Sequence, residues 1–212
     1  MTPWLAMLAF GAFHGLNPGM GWLFALSLGL QQRSERVIWY SLLPIAAGHA
    51  AAIVAVVLLV MAGLRFVPLE LVRWLTAAAL LALGIYKLFN YYRHPRWVGM
   101  KVGALDLFWW SFLMATAHGA GLMLVPALLG VADGADSHRG HAGMAASANG
   151  AMLLAVGVHT LSMLVVMGSC AWLIYRKFGL AVLRQKWINF DLIWAVALLL
   201  VGIVALLMAG SA

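Results

Sequence analysis

Four histidines lie inside long apolar stretches of the sequence, where an ionisable side chain is costly and usually functional. They are His14, His49, His118 and His159. Each lies about ten to thirteen residues from the start of its stretch, which is near mid-bilayer at roughly 1.5 Å per residue. Neutral imidazole is the commonest transition-metal ligand and also relays protons. We therefore predict one midplane cluster of four histidines that binds Ni, Co, Zn or Cu.

The stretch around the first histidine, "FHGLNPGMGW" (13–22), predicts a broken helix. Pro18 lacks a backbone N–H, and its ring clashes with the carbonyl four residues earlier, which belongs to His14. Open backbone at this depth is tolerated only where protein buries it or where it lines a watery cavity. We predict that the substrate contacts this break and its counterpart in the second half, at Asn17, Pro18, Gly19, Met20, Gly119 and Met123.

Other side chains could add metal ligands. Met20, Met123, Met163 and Met167 offer thioethers and Cys170 offers a thiol, a set that favours Cu(I), although methionine is ordinarily a core filler. A Gly/Ala-rich loop over 131–148, predicted on the outer side, contains His138 and His141 as further candidate ligands that could capture or release a metal.

The elements that position these residues are membrane spans. The chain has 212 residues, of which 65% are hydrophobic and 9% charged, and its mean hydropathy is +0.99. These values predict an all-α, polytopic membrane protein with a single transmembrane domain over 1–212. The six apolar runs expected to span the bilayer cover roughly 4–30, 37–63, 70–90, 105–130, 149–175 and 189–209.

The basic residues predict the orientation. The net charge of +7 would suggest nucleic acid in a soluble protein, but here the placement of the charges matters more. Only Arg65, Arg73 and Arg139 fall in one set of loops, and the other ten of the 13 Lys and Arg residues fall in the opposite set. Because Lys and Arg collect on cytoplasmic loops, we predict a multi-pass protein of the cell (inner) membrane with both termini on the periplasmic or outer side.

The two halves of the chain resemble each other in the same order. The matching segments are 11–20 with 115–123, 48–60 with 158–170, and 80–88 with 198–206. Each half supplies three spans, an odd number, so the second copy must enter the membrane from the opposite side. This pattern predicts an inverted 3+3 repeat, with repeat one over 1–95 and repeat two over 100–212, as in many secondary transporters.

The segment "HGLNPGMG" (14–21) resembles the first-helix motif His-Gly-x-x-Pro-Gly-His-Gly of the nickel/cobalt efflux (NicO-like) family, within the wider superfamily of lysine-exporter-type transporters. The resemblance implies secondary transport, with His14 at the position of the motif's first histidine. Met20 stands where that family has its second histidine, and Asn17 where an acidic residue is common.

Together these features predict a secondary transporter of a transition-metal cation, working by alternating access around the histidine cluster and the broken first helix. One alternative is a haem-binding membrane protein, since paired histidines can ligate haem iron. Another is a proton-coupled transporter of a small organic solute such as an amino acid. An enzyme is not expected, because no Ser/His/Asp, paired-carboxylate or phosphate-loop arrangement occurs. The expected partners are the lipid bilayer and a small ion or solute, without nucleic acid, and a homo-oligomer is left open.

Overall fold

The computed structural model describes residues 3–90, 102–136, 144–177 and 190–210, and over these residues the chain is all-α. Eight α-helices and one 3₁₀ turn follow one another, and no β-strand occurs in the described ranges. The elements are α1 (Pro3–Leu16), the 3₁₀ turn (Pro18–Met20), α2 (Trp22–Gln32), α3 (Glu35–Gly63), α4 (Leu69–Asn90), α5 (Ala104–Ala117), α6 (Ala120–Asp136), α7 (Met144–Lys177) and α8 (Phe190–Gly210).

Several of these helices have the length and composition of membrane spans. The helices α3, α4, α7 and α8 are each long and apolar enough to cross a bilayer, and α5 with α6 qualifies as one further span bent by 69°. Large apolar side chains such as Leu59, Phe66 and Leu207 are exposed on the bundle surface, as expected where acyl chains surround the protein. The chain is therefore an all-α membrane protein.

The helix boundaries follow the predicted segments, with two differences. The segment 105–130 does not form one helix but α5 and α6, which are separated by a 69° bend. The segment 4–30 is divided as the predicted broken helix requires, into α1, the 3₁₀ turn and α2, and the 14-residue α1 alone is shorter than a span. The predicted loop 131–148 is helical at both ends, because α6 continues to Asp136 and α7 begins at Met144. These loop ends are rich in alanine, the residue with the highest helix propensity, and sequence hydropathy does not register that preference.

The helices pack in pairs around a central pair. The helix α1 lies against α7, α3 against α5, and α4 against α8. The helices α2 and α6 each contact both α3 and α7, which also contact each other. The central pair therefore consists of α3 and α7, and these helices carry His49 and His159.

Glycines let the backbone of α1 approach that of α7 closely. A Cβ on Gly11 would overlap the carbonyl oxygen of His159, and a Cβ on Gly15 would lie 2.6 Å from the carbonyl oxygen of Met163. Both contacts advance by four residues in the same direction, so the two helices run parallel. Ser162 strengthens this contact because its hydroxyl donates to the carbonyl of Leu8 at 2.9 Å.

The contact between α4 and α8 is reciprocal. A Cβ on Gly84 would lie 2.9 Å from the side chain of Leu199, and a Cβ on Gly202 would lie 2.9 Å from the side chain of Leu81. In each helix the leucine precedes the glycine by three residues. Contacts that pair in this crossed order are possible only when the two helices run antiparallel.

A charged cluster joins the beginning of α3 to the end of α7. The Glu35 carboxylate accepts hydrogen bonds from Arg176 Nε at 3.0 Å and Nη2 at 3.2 Å, and from Trp172 Nε1 at 3.0 Å. The Arg176 guanidinium also lies 4.6 Å from the centroid of the Trp172 ring, a cation–π distance. This cluster holds the two central helices together at one end of the bundle.

Candidate metal centre

Three of the predicted histidines meet between three helices, and we call them the three-histidine centre. His14 lies at the end of α1, His49 in the middle of α3 and His159 in the middle of α7. One ring nitrogen from each lies within 4.8 Å of those from the other two. A metal bound at 2.0–2.1 Å holds its nitrogen ligands about 3.3 to 3.6 Å apart. A movement on the order of 1 Å would therefore bring the three nitrogens to coordination distance.

Backbone carbonyls orient two of these rings. His14 Nδ1 donates to the carbonyl of Phe10 at 2.7 Å, and His159 Nδ1 donates to the carbonyl of Met7 at 3.3 Å. With the hydrogen on Nδ1, the Nε2 atom of each ring carries the lone pair that a metal requires. A ring N–H donated to a carbonyl is the usual support of a metal-binding histidine. His14 Nε2 has no hydrogen-bond partner among the described residues, so this buried acceptor is available to a ligand.

The third ring, that of His49, pairs directly with His159. The two Nε2 atoms lie 3.3 Å apart. Since His159 Nε2 carries a lone pair, His49 Nε2 donates to it in the metal-free arrangement. Coordination through His49 Nε2 would require the hydrogen to move to its Nδ1, which has no partner among the described residues. A metal held by the three Nε2 atoms would therefore require His49 to change its tautomer.

The three-histidine centre is buried, and no described carboxylate lies in it. His14 and His159 are 0% exposed and His49 is 1% exposed. The buried polar side chains of the described residues are all histidines, hydroxyls or an amide, namely His14, Asn17, Ser41, His49, Thr76, Ser111, His118 and His159. The carboxylates whose side chains are described, Glu35, Glu70 and Asp106, lie in the first turns of α3, α4 and α5. A cation here would have neutral nitrogen ligands without a described carboxylate beside it.

The fourth predicted histidine, His118, does not join this group. It ends α5, and its Nδ1 donates to the carbonyl of Met114 at 2.8 Å. The indole of Trp194, which is fully buried, contacts both sites, with its ring centroid 4.4 Å from that of His14 and 5.7 Å from that of His118. The structure thus brings together three of the four histidines, and the fourth packs against Trp194 outside that group.

The first predicted substrate-binding group lies at the break between α1 and α2. The helix ends at Leu16, and Asn17 adopts an extended conformation whose Oδ1 accepts from the N–H of Gly19 at 3.0 Å. Pro18 opens the 3₁₀ turn, and Met20 at its end is 2% exposed. Asn17 is 4% exposed, and its Nδ2 has no partner among the described residues. The break therefore places a buried amide donor without a described acceptor three residues after His14.

The second predicted group lies at the break between α5 and α6. Gly119 has φ of +68°, a left-handed conformation that glycine adopts without strain. Its carbonyl accepts from the N–H of Met123 at 2.9 Å, so α6 starts immediately after the break. The carbonyl of His118 accepts from Trp194 Nε1 at 2.7 Å, which ties α8 to this point. Met123 is 2% exposed in the same apolar cluster as Met20, Met163 and Met167.

The remaining predicted ligands, His138 and His141, lie outside the described residues. Sequence reasoning missed Trp194, whose ring contacts those of both His14 and His118. A tryptophan four residues into α8 is indistinguishable in sequence from the interfacial tryptophans that mark span ends. One indication of this difference was present in the sequence. When the alignment of 80–88 with 198–206 is extended, the residue that corresponds to Trp194 is Thr76, and a threonine and a tryptophan cannot pack alike.

Comparison with known proteins finds no match to this chain among family models, curated proteins or solved structures.

Proposed function

We propose that this protein is a secondary transporter of a transition-metal cation. The observation that carries the proposal is the three-histidine centre, in which His14 and His159 donate their Nδ1 hydrogens to carbonyls and leave Nε2 free. Such an arrangement is typical of metal-binding histidines. Its position about halfway along spanning helices fits transport better than structural metal binding, because transport sites lie near the bilayer midplane.

The proposed architecture has six spans, and the helix directions support it. The parallel contact of α1 with α7 and the antiparallel contact of α4 with α8 restrict the path of the chain. Suppose that only one broken pair, α1 with α2 or α5 with α6, returned to the side from which it entered. In that case α7 would run antiparallel to α1. If both returned, α8 would run parallel to α4. A chain in which both broken pairs cross the membrane is consistent with both contacts, which supports the proposal of six spans.

The same contacts support an inverted repeat. In the repeat, α1 corresponds to α5, α2 to α6 and α3 to α7. The contact of α1 with α7 then corresponds to that of α5 with α3, and the contacts of α2 with α3 and α7 correspond to those of α6 with α7 and α3. The reciprocal pair Gly84 with Leu199 and Gly202 with Leu81 matches the sequence alignment of 80–88 with 198–206. Repeats of this kind allow one half to rock against the other and expose a central site alternately to each side.

The orientation that we propose follows from the basic residues, which place both termini on the periplasmic or outer side of the inner membrane. In this orientation the cluster of Glu35, Trp172 and Arg176 lies on the cytoplasmic side. Thiol labelling tests the arrangement in a Cys170→Ser background. Arg65→Cys should react with an impermeant maleimide added to intact cells, and Arg33→Cys should react only after lysis. The reverse pattern would overturn the orientation.

The described packing disfavours the haem alternative. A haem with two axial histidines needs a flat slot as wide as a porphyrin between two imidazoles. Here the centroids of the His49 and His159 rings are 5.6 Å apart, and those of His14 and His159 are 4.9 Å apart. Their nitrogens face each other directly, so haem would require the helices to separate. An absorption spectrum of the purified protein tests this, because bound haem gives a Soret band.

One observation favours transport of a small organic solute. The buried Asn17 amide at the helix break lacks an acceptor among the described residues, and a carboxylate or carbonyl on a solute would supply one. Uptake of labelled amino acids, measured with and without added metal, separates this function from metal transport. Metal-independent uptake that is lost in Asn17→Leu would favour the organic solute.

The experiment that tests metal transport compares two buried histidines. Reconstituted protein should bind a transition metal and move it across the vesicle membrane. His159→Ala removes one of three ligands and should weaken binding by about 100-fold or more. His118→Ala is the matched control, because it removes the same atoms from a similarly buried histidine that lies outside the three-histidine centre. It should retain binding within about threefold, the usual spread of such effects.

Three results would count against the proposal. They are the absence of bound transition metal in the purified protein, normal metal flux in His159→Ala, and equal losses in His159→Ala and His118→Ala. Thermal melting of each variant in detergent shows whether a lost signal reflects unfolding.

A further inference from the structure

We propose that the cation that this centre selects is monovalent and soft, Cu(I) in the cell and Ag(I) as its inert analogue, in preference to divalent Ni, Co or Zn. This inference rests on the proposed transport function and names its substrate class. The structure supports it through the charge of the centre, the number of its ligands and the chemistry of the path beside it.

The charge of the centre favours a monovalent ion. The cost of moving an ion from water into a low-dielectric interior rises with the square of its charge, so a divalent ion pays about four times as much as a monovalent ion of equal size. A carboxylate usually offsets this cost, but the described carboxylates lie at helix ends and the three ligands are neutral. Among the residues whose side chains are described, the site therefore lacks the compensation that a buried divalent ion needs.

The number of ligands favours the same class. Zn(II) usually takes four ligands, and catalytic sites complete a set of three with water. Ni(II) prefers square-planar or larger sets. The rings of His14, His49 and His159 are at most 1% exposed, so bulk water does not reach them to complete such a set. Cu(I) and Ag(I) accept two or three ligands, and three imidazoles satisfy them.

Thioethers line the helix that carries His159. Met152, Met163 and Met167 lie seven residues before, four after and eight after His159, which puts all four on one face of α7. We call these three methionines the α7 thioether face. Met163 and Met167 are 0% exposed and Met152 is 8% exposed. The face therefore points into the bundle and extends from the three-histidine centre in both directions.

The face continues onto neighbouring elements. Met152 shares an apolar cluster with Met7, whose carbonyl accepts from His159. Met163 and Met167 share a second cluster with Met20 and Met123, which lie at the two helix breaks. Thioether sulfur is a ligand for Cu(I) and offers little to hard or strongly hydrated divalent ions. An ion that leaves the histidines thus meets further ligands only if it is soft.

The test measures binding and flux with defined ions. Purified protein is titrated with Cu(I) under an anaerobic reductant against a chromophoric chelator, and with Ag(I), Zn(II) and Ni(II) by equilibrium dialysis. We expect one Cu(I) or Ag(I) per chain and binding of Zn(II) and Ni(II) that is about 100-fold weaker. In proteoliposomes, Ag(I) flux should exceed Zn(II) flux by a similar factor.

The thioether face is tested by Met163→Leu, a swap that conserves volume and usually keeps the fold. It should lower Ag(I) flux by about tenfold while leaving the melting temperature close to that of the parent. Met208→Leu is the matched control, since Met208 is 53% exposed on α8, and its flux should equal that of the parent.

The outcomes separate the two proposals. If Zn(II) or Ni(II) binds and moves as well as Ag(I), or if Met163→Leu transports Ag(I) like Met208→Leu, the inference on substrate class fails while metal transport stands. If none of the four ions binds or moves, metal transport itself fails.

Discussion

The close contact of α1 with α7 makes Gly15→Ala a sharp test of how the three-histidine centre is held. A Cβ at Gly15 would lie 2.6 Å from the carbonyl oxygen of Met163, 2.9 Å from Val166 Cβ and 3.1 Å from the N–H nitrogen of Met167. Two of these atoms are backbone, so they cannot rotate away. The helices must separate by about 0.8 Å, from 2.6 Å to the 3.4 Å at which ordinary van der Waals contact begins.

The size of the effect follows from two opposing contributions. Overpacking of a close contact costs about 1 to 3 kcal/mol, whereas alanine gains about 1 kcal/mol over glycine in helix propensity. Gly157→Ala isolates the second contribution, because Gly157 lies on α7 and a Cβ added there would meet nothing within 4 Å. We expect Gly157→Ala to be neutral or stabilising, and Gly15→Ala to be about 1 to 3 kcal/mol less stable than Gly157→Ala.

The assay is reversible unfolding of the purified protein in mixed micelles, followed by Ag(I) and Zn(II) titration of each folded variant. Since His14 precedes Gly15 on α1, separation of the helices moves its Nε2 away from His159. Gly15→Ala should therefore lose metal affinity as well as stability. Equal stability and equal affinity in Gly15→Ala and Gly157→Ala would refute the reasoning.

Three further predictions concern contacts away from this interface. Glu35→Gln should lower the free energy of unfolding by only about 0.2 to 1 kcal/mol, because the Glu35 and Arg176 side chains are 36% and 55% exposed. In denaturation experiments at rising salt concentration, the difference between parent and variant should become smaller. A difference that salt does not change would contradict an ionic origin. Trp194→Phe removes the hydrogen bond to the carbonyl of His118 and should cost about 1 to 3 kcal/mol in unfolding free energy, and a melting temperature equal to that of the parent would show that this bond contributes nothing. Saturation with a bound metal at about 100 times its dissociation constant should stabilise the fold by about 2.7 kcal/mol, so a chelator should lower the melting temperature of the parent but not of His159→Ala.

The helix bounds and the first break could be predicted from sequence because their causes are local. Apolar length sets the spans, and Pro18 removes an N–H and clashes with the turn before it, whatever surrounds it. The second break could not be located in this way. Glycine is common in membrane helices as a packing residue, and only the tertiary structure gives Gly119 its φ of +68°.

A histidine cluster could be predicted from the sequence, but which of the four histidines meet could not. Position along a helix fixes depth, whereas the contact between two rings depends on helix rotation and on what fills the space between them. His14, His49 and His159 meet, while His118 packs against Trp194 outside that group. A repeat in sequence predicts equivalent positions, and a single bulky residue in one half is enough to make the sites unequal.

The crossed contact of α4 with α8 is isologous, which is the property of a twofold dimer interface. Gly84 receives Leu199 as Gly202 receives Leu81, so the surface of α4 is close to complementary to itself. A polypeptide that contained only the first half would thus present a face able to pair with a second, oppositely inserted copy. Such a dual-topology dimer would contain two copies each of His14 and His49 and no Trp194, so the covalent second half is what makes the three-histidine centre single and asymmetric.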